Sequence, residues 1–133
     1  MTLQKKILVP LGSCGKDLKG VHYALSLAER LQARVYILQQ DPDAGADDAF
    51  AVWRDDALAD LINSARQAGL TVSHHIVHRE FREEIVGLTK EEGIDLLVFG
   101  ADDGACERLL VQVKPLVSSQ IIQVKEKNHI NYL

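Results

Sequence analysis

The sequence predicts an α/β fold, a doubly wound parallel sheet with helices on both faces. Two observations carry that expectation. Short, nearly continuous apolar runs alternate along the chain with segments whose apolar residues recur at helical spacing. Such strand-helix alternation buries a parallel sheet between helical layers. The first run also ends in a glycine-rich turn, "GSCGK", ahead of a helical segment, and sheets of this kind bind ligands outside the carboxyl ends of their strands.

Lys6 to Leu11 is an apolar run of the sort found in strands covered on both faces. From Asp17 the period changes, and Val21, Ala24, Leu25, Ala28 and Leu31 fall on one helical stripe. Ala33 to Leu38 is β-branched and apolar, a second strand. "QDPDAGADD" has turn and helix-start composition. The helix after it presents Phe50, Trp53, Ala57, Leu58, Leu61 and Ala65 to the core and ends at Gly69. Thr71 to His78 forms a third strand, Phe81 to Glu92 a third helix closed by Gly93, and Ile94 to Phe99 a fourth strand. A fourth helix runs from Gly104 to Val113, since Pro115 disfavours helix at Lys114. Gln120 to Lys125 is the last strand. Residues 1–127 make a single domain, and residues 128–133 are expected to be a peripheral tail.

The 133 residues suffice for one core without disulfide staples. They are 47% hydrophobic and 26% charged with a net charge of −4, so the basic stripe that wholesale nucleic-acid binding needs is missing. No apolar run approaches the roughly 18 residues of a membrane span, and the N-terminal apolar stretch is too short for a secretion signal. The expectation is a soluble, cytoplasmic chain that neither enters a membrane nor binds nucleic acid.

Two stretches resemble the universal stress protein family: "KKILVPLGS", like its opening strand, and "EEGIDLLVFGADDGACERLL", like its fourth strand and following glycine loop. The resemblance covers almost the whole chain. It implies five parallel strands in the order 3-2-1-4-5, with the loops after strands one and four lining one crevice. Carried over, that crevice comprises Pro10, Leu11, Gly12, Ser13, Gly100, Ala101, Asp102, Asp103 and Gly104. Many family members bind ATP there, through an aspartate ending strand one and a loop of Gly, two residues and Gly, followed nine residues on by Gly-Ser or Gly-Thr. Such loops bring backbone amides close to phosphates at a helix N-terminus.

This chain departs from that pattern where the phosphate chemistry lies. Leu11 stands at the aspartate's position, Asp103 at the second glycine's, and Gln112 and Val113 where Gly-Ser should be. Asp102 and Asp103 would also meet a polyphosphate with like charge. At ~4 Å each unit pair costs about 1 kcal/mol in water and ~4 kcal/mol at an effective dielectric of 20. Magnesium would reverse that sign, so ATP with magnesium stays open as an alternative, but no cofactor is expected.

Other candidates have plainer explanations. "GSCGK" lacks the spacing of a P-loop, with Pro10 at the first glycine's position and Asp17 after the lysine. Cys14 and Cys106 fall in the two crevice loops, where a thiol near a helix N-terminus gains reactivity. A redox or metal-binding pair is weighed there against two small loop residues. On a strand, His74 and His78 share a face about 13 Å apart while His75 points the other way, which rules out a shared metal. Adjacent Asp55 and Asp56 diverge around their helix and cannot act together. "REFREE" reads as a solvated helix face. The acidic pair and the phosphoacceptor aspartate of a receiver domain are missing.

No nucleophile-base set supports catalysis, so the expected role is non-enzymatic and regulatory, with an unidentified protein partner. A homodimer is expected through the last strand. Ile121, Ile122 and Val124 lie on a strand placed at the sheet edge, with unpaired backbone groups, and family dimers commonly associate there.

Overall fold

A computed structural model of the chain describes residues 4–12, 18–40, 49–77, 80–100, 104–126 and 129–132, the side chains of 49–54, 104–106, 125–126 and 129–132 excepted. In chain order the elements are β1 (Lys6–Leu11), α1 (Lys19–Leu31), β2 (Arg34–Gln40), α2 (Ala49–Gln67), β3 (Val72–Val77) and α3 (Phe81–Glu92). There follow β4 (Leu96–Gly100), α4 (Gly104–Val113), a 3₁₀ turn over Lys114–Leu116, β5 (Gln120–Glu126) and β6 (His129–Tyr132).

The first five strands are parallel in the order 3-2-1-4-5, as expected. From β1 the sheet grows in one direction to β3, then restarts at β4 and grows in the other. Right-handed crossovers in opposite directions put their helices on opposite faces. The core divides accordingly. Val21, Ala24 and Ala28 of α1 and Leu58, Ile62 and Ala65 of α2 pack on Ile7, Val9, Val35 and Ile37. On the other face Phe81 and Ile85 of α3 and Leu110 and Val113 of α4 pack on Leu8, Leu38, Leu97 and Phe99. Each strand therefore sends alternate residues to two cores, which is why its sequence reads as unbroken hydrophobe.

The helix ends follow local chemistry. Gly69 and Gly93 take positive φ after α2 and α3, a conformation glycine adopts without a Cβ penalty. After α1 that position belongs to Gln32, whose φ is 55°. Leu31 is 50% exposed despite its place on the apolar stripe.

Strands β1 and β4 are far apart in sequence and are fastened at their N-terminal ends. The Lys6 amide donates to Asp95 Oδ2 (2.9 Å), the Asp95 amide donates to the Lys6 carbonyl (3.0 Å), and Lys6 Nζ reaches the Glu92 carbonyl (2.7 Å). Asp95, the acidic residue opening "IDLLVF", is thus part of the sheet's stitching.

One expectation is corrected. The tail is not peripheral, because β6 pairs antiparallel with β5, matching Ile122 with Tyr132 and Val124 with Ile130. This pairing satisfies backbone groups that β5 would otherwise leave open. The sheet edge is β6, not β5.

Candidate functional site

Strands β1 and β2 stay in register over six residues, from Lys6↔Arg34 to Leu11↔Gln39. Between β1 and β4 the register covers only Ile7↔Leu96 and Leu8↔Leu97. Past Leu8 the two strands part. Pro10 has no N–H to give to a ladder, and it sits where pairing with β4 has already ended. This unpaired stretch lies at the carboxyl ends of the strands, at the point where strand order reverses, the usual ligand position in such sheets.

Among the described residues, those at these strand ends present mostly backbone and hydrocarbon. Leu11 is 7% exposed and belongs to the apolar cluster that also holds Leu18, Val21 and Val124. A leucine turned into the core offers no hydrogen bond to a ligand. Gly12 follows it, and a Cβ there would lie 3.8 Å from Gln40 Oε1. Gly100 ends β4 opposite Val124 of β5. The first turn of α1 leans directly on this strand end, since a Cβ on Gly20 would stand 3.1 Å from the Gly100 amide nitrogen. Gly20 was not singled out by sequence reasoning. Its signal was a glycine inside an amphipathic helix, which usually has a packing reason.

A polar trio stands beside this region, also unforeseen. Gln39 is buried, next to Leu11 in the β1–β2 register. Its Nε2 donates to Asp55 Oδ1 at 2.9 Å, and its Oε1 accepts from His74 Nε2 at 2.8 Å. Asp55 therefore holds one end of a cross-sheet contact, as the separation from Asp56 around the helix allows. His74 faces α2 and His75 the opposite side, as strand alternation requires. Burial, with help from the nearby His75 and Arg66 charges, lowers the His74 pKa below its ordinary value of 6.5, against an opposing effect of Asp55. An unfolded chain then takes up this proton at higher pH than the folded one, so stability falls as pH drops through the unfolded value. His74→Gln should flatten the stability loss between about pH 7 and about pH 5; urea melts with unchanged slope against pH would remove His74 from that role.

Ser13, Cys14, Ala101, Asp102 and Asp103 lie outside the described residues, as does His78. Gly104 and Cys106 fall in the first turn of α4, with the Cys106 side chain undescribed. Of the expected crevice, Pro10, Leu11, Gly12 and Gly100 are described, at the carboxyl ends of β1 and β4. Among the described residues no group of three or more His, Cys, Asp or Glu is placed to hold a metal ion, and no helix is long and apolar enough to cross a membrane.

The fold and its switch point define a doubly wound α/β domain of the nucleotide-binding type. The Universal stress protein family model matches residues 4–122, so the chain belongs to that family. Solved structures agree on the fold. A universal stress family protein from Burkholderia pseudomallei superposes with a TM-score of 0.66 at 18% identity, covering 92% of this chain and 96% of the other. The universal stress protein from Archaeoglobus fulgidus in complex with dAMP gives 0.63 at 18% identity, covering 94% and 100%. A family protein from Arabidopsis thaliana with AMP bound gives 0.59 at 17%, covering 93% of each. Among curated proteins nothing matches.

Proposed function

We propose that this chain is a non-enzymatic, regulatory universal stress protein whose crevice has kept its shape and lost its ATP chemistry. One observation carries the reading: the strand-one position that resemblance assigns to an aspartate is Leu11, turned into the apolar cluster. Relatives of the same fold with dAMP or AMP bound indicate what such a crevice can accept when its polar groups are in place. Here a nucleotide would meet hydrocarbon at that point, and each of its polar groups left without a partner costs about 1–3 kcal/mol.

Isothermal titration with ATP, with and without magnesium, tests this. The expected result is no saturable heat in either arm. Binding at about micromolar Kd, some −8 kcal/mol, would overturn the reading, and binding in the magnesium arm alone would point to a metal bridge at the acidic loop. The proposal includes self-association through β5 only where β6 no longer covers it.

A further inference from the structure

We propose that the groove between β3 and α3 binds an extended segment of a partner polypeptide in which basic and apolar residues alternate. This deepens the regulatory reading and rests on it only for the existence of a protein partner. The groove has a volume of about 440 Å³. Leu38 and Val77 are buried at its floor, while His75 further along β3 is exposed.

Three features define the occupant. First, β3 ends the sheet on this side, so its outer backbone groups can accept another strand. Second, the facing wall carries Glu83, Glu84 and Glu91, all exposed and without a cationic partner among the described residues. A crossover helix runs back alongside its strands, and Glu84 and Glu91 are two turns apart on α3, about 10.5 Å at 1.5 Å per residue. Residues on one face of an added strand repeat about every 6.8 Å, a spacing that lysine or arginine stems can adapt to two carboxylates. Third, Ile76 is 54% exposed and by strand alternation faces the opposite side from His75 and Val77. The alternate residues of the added strand would meet it, and an apolar side chain suits that neighbour. Negative charge on one side and an exposed isoleucine on the other select basic-apolar alternation.

Gly87 gives a clean way to close the groove. It sits mid-helix in the wall, and a Cβ there would meet nothing within 4 Å. Gly87→Leu therefore fills space while improving helix propensity.

The test is fluorescence anisotropy with a labelled alternating Lys-Val octapeptide and the intact chain. Saturable, salt-weakened binding is expected, with no binding of a Glu-Val octapeptide. Binding should fall by about tenfold or more in Glu84→Lys/Glu91→Lys and in Gly87→Leu, whose thermal melt should be no lower than that of the parent. A peptide of equal charge with a central proline should also bind weakly, because it cannot complete the ladder. If the Lys-Val peptide fails to bind, the inference is wrong whatever the ATP titration shows. Equal binding by the variants would place the peptide elsewhere, and equal competition by spermidine would reduce the groove to a charge reader and exclude strand pairing.

Discussion

Gly20→Val should destabilise the fold by about 2 kcal/mol, within the 1–3 kcal/mol range of overpacked cores. The added Cβ would stand 3.1 Å from the Gly100 nitrogen, 3.5 Å from its Cα and 3.7 Å from the Phe99 carbonyl carbon. All three are backbone atoms of β4, a strand with neighbours on both sides, and backbone there cannot swing away as a side chain can. Replacing glycine in a helix returns only about 0.3–0.5 kcal/mol for valine, too little to offset the contact. Gly87→Ala is the control, because a propensity gain acts there without a contact and should stabilise by up to about 1 kcal/mol. Urea unfolding of both variants decides the matter. If Gly20→Val matches the parent, α1 can slide off β4 and the crevice is less fixed in shape than the Gly20–Gly100 approach implies.

Ending the chain at Glu126 should change its state of association. In the full chain β6 pairs with β5 from Ile122↔Tyr132 to Glu126↔His129. Without β6, β5 becomes a seven-residue edge whose Ile121, Ile122 and Val124 are packed into the two cores. A strand pinned in place with open donors and acceptors is a template for another strand, and a second copy supplies one of matching length. Light scattering on gel-filtered protein should report monomer for the full chain and dimer for the truncated one, with a concentration-dependent melting temperature for the latter. A truncated chain that stays monomeric would rule out self-association through β5. A dimeric full chain would mean that β6 does not guard this edge.

Most of the architecture was legible because its causes are local. Apolar runs broken by helical periodicity gave five strands and four helices in order, and Gly69, Gly93 and Pro115 marked ends with chemistry of their own. β6 was missed for the opposite reason. "HINY" is four residues preceded by a polar run, and nothing in them announces the strand they pair with. The trio of Gln39, Asp55 and His74 was hidden likewise, since separations of 16 and 35 residues close only in three dimensions. At the crevice, the substitution at Leu11 could be read directly. The facing of Gly20 and Gly100 could not, because contact between backbones leaves no side-chain signature.

The way β1 and β4 are joined bears on how such a crevice can change. Their union is made at one end, by Asp95, Lys6 and two register pairs, and the opposite end hangs free of it. The fastening and the proposed crevice thus fall on different residues of the same two strands, about 10–16 Å apart along them at the strand rise. A substitution at Leu11 leaves the Asp95–Lys6 fastening of β1 to β4 intact, and its cost falls on the apolar cluster that Leu11 fills. The fold behaves like a hinge pinned at its base, whose open jaws can be refitted for another occupant, or for none, without weakening the pin.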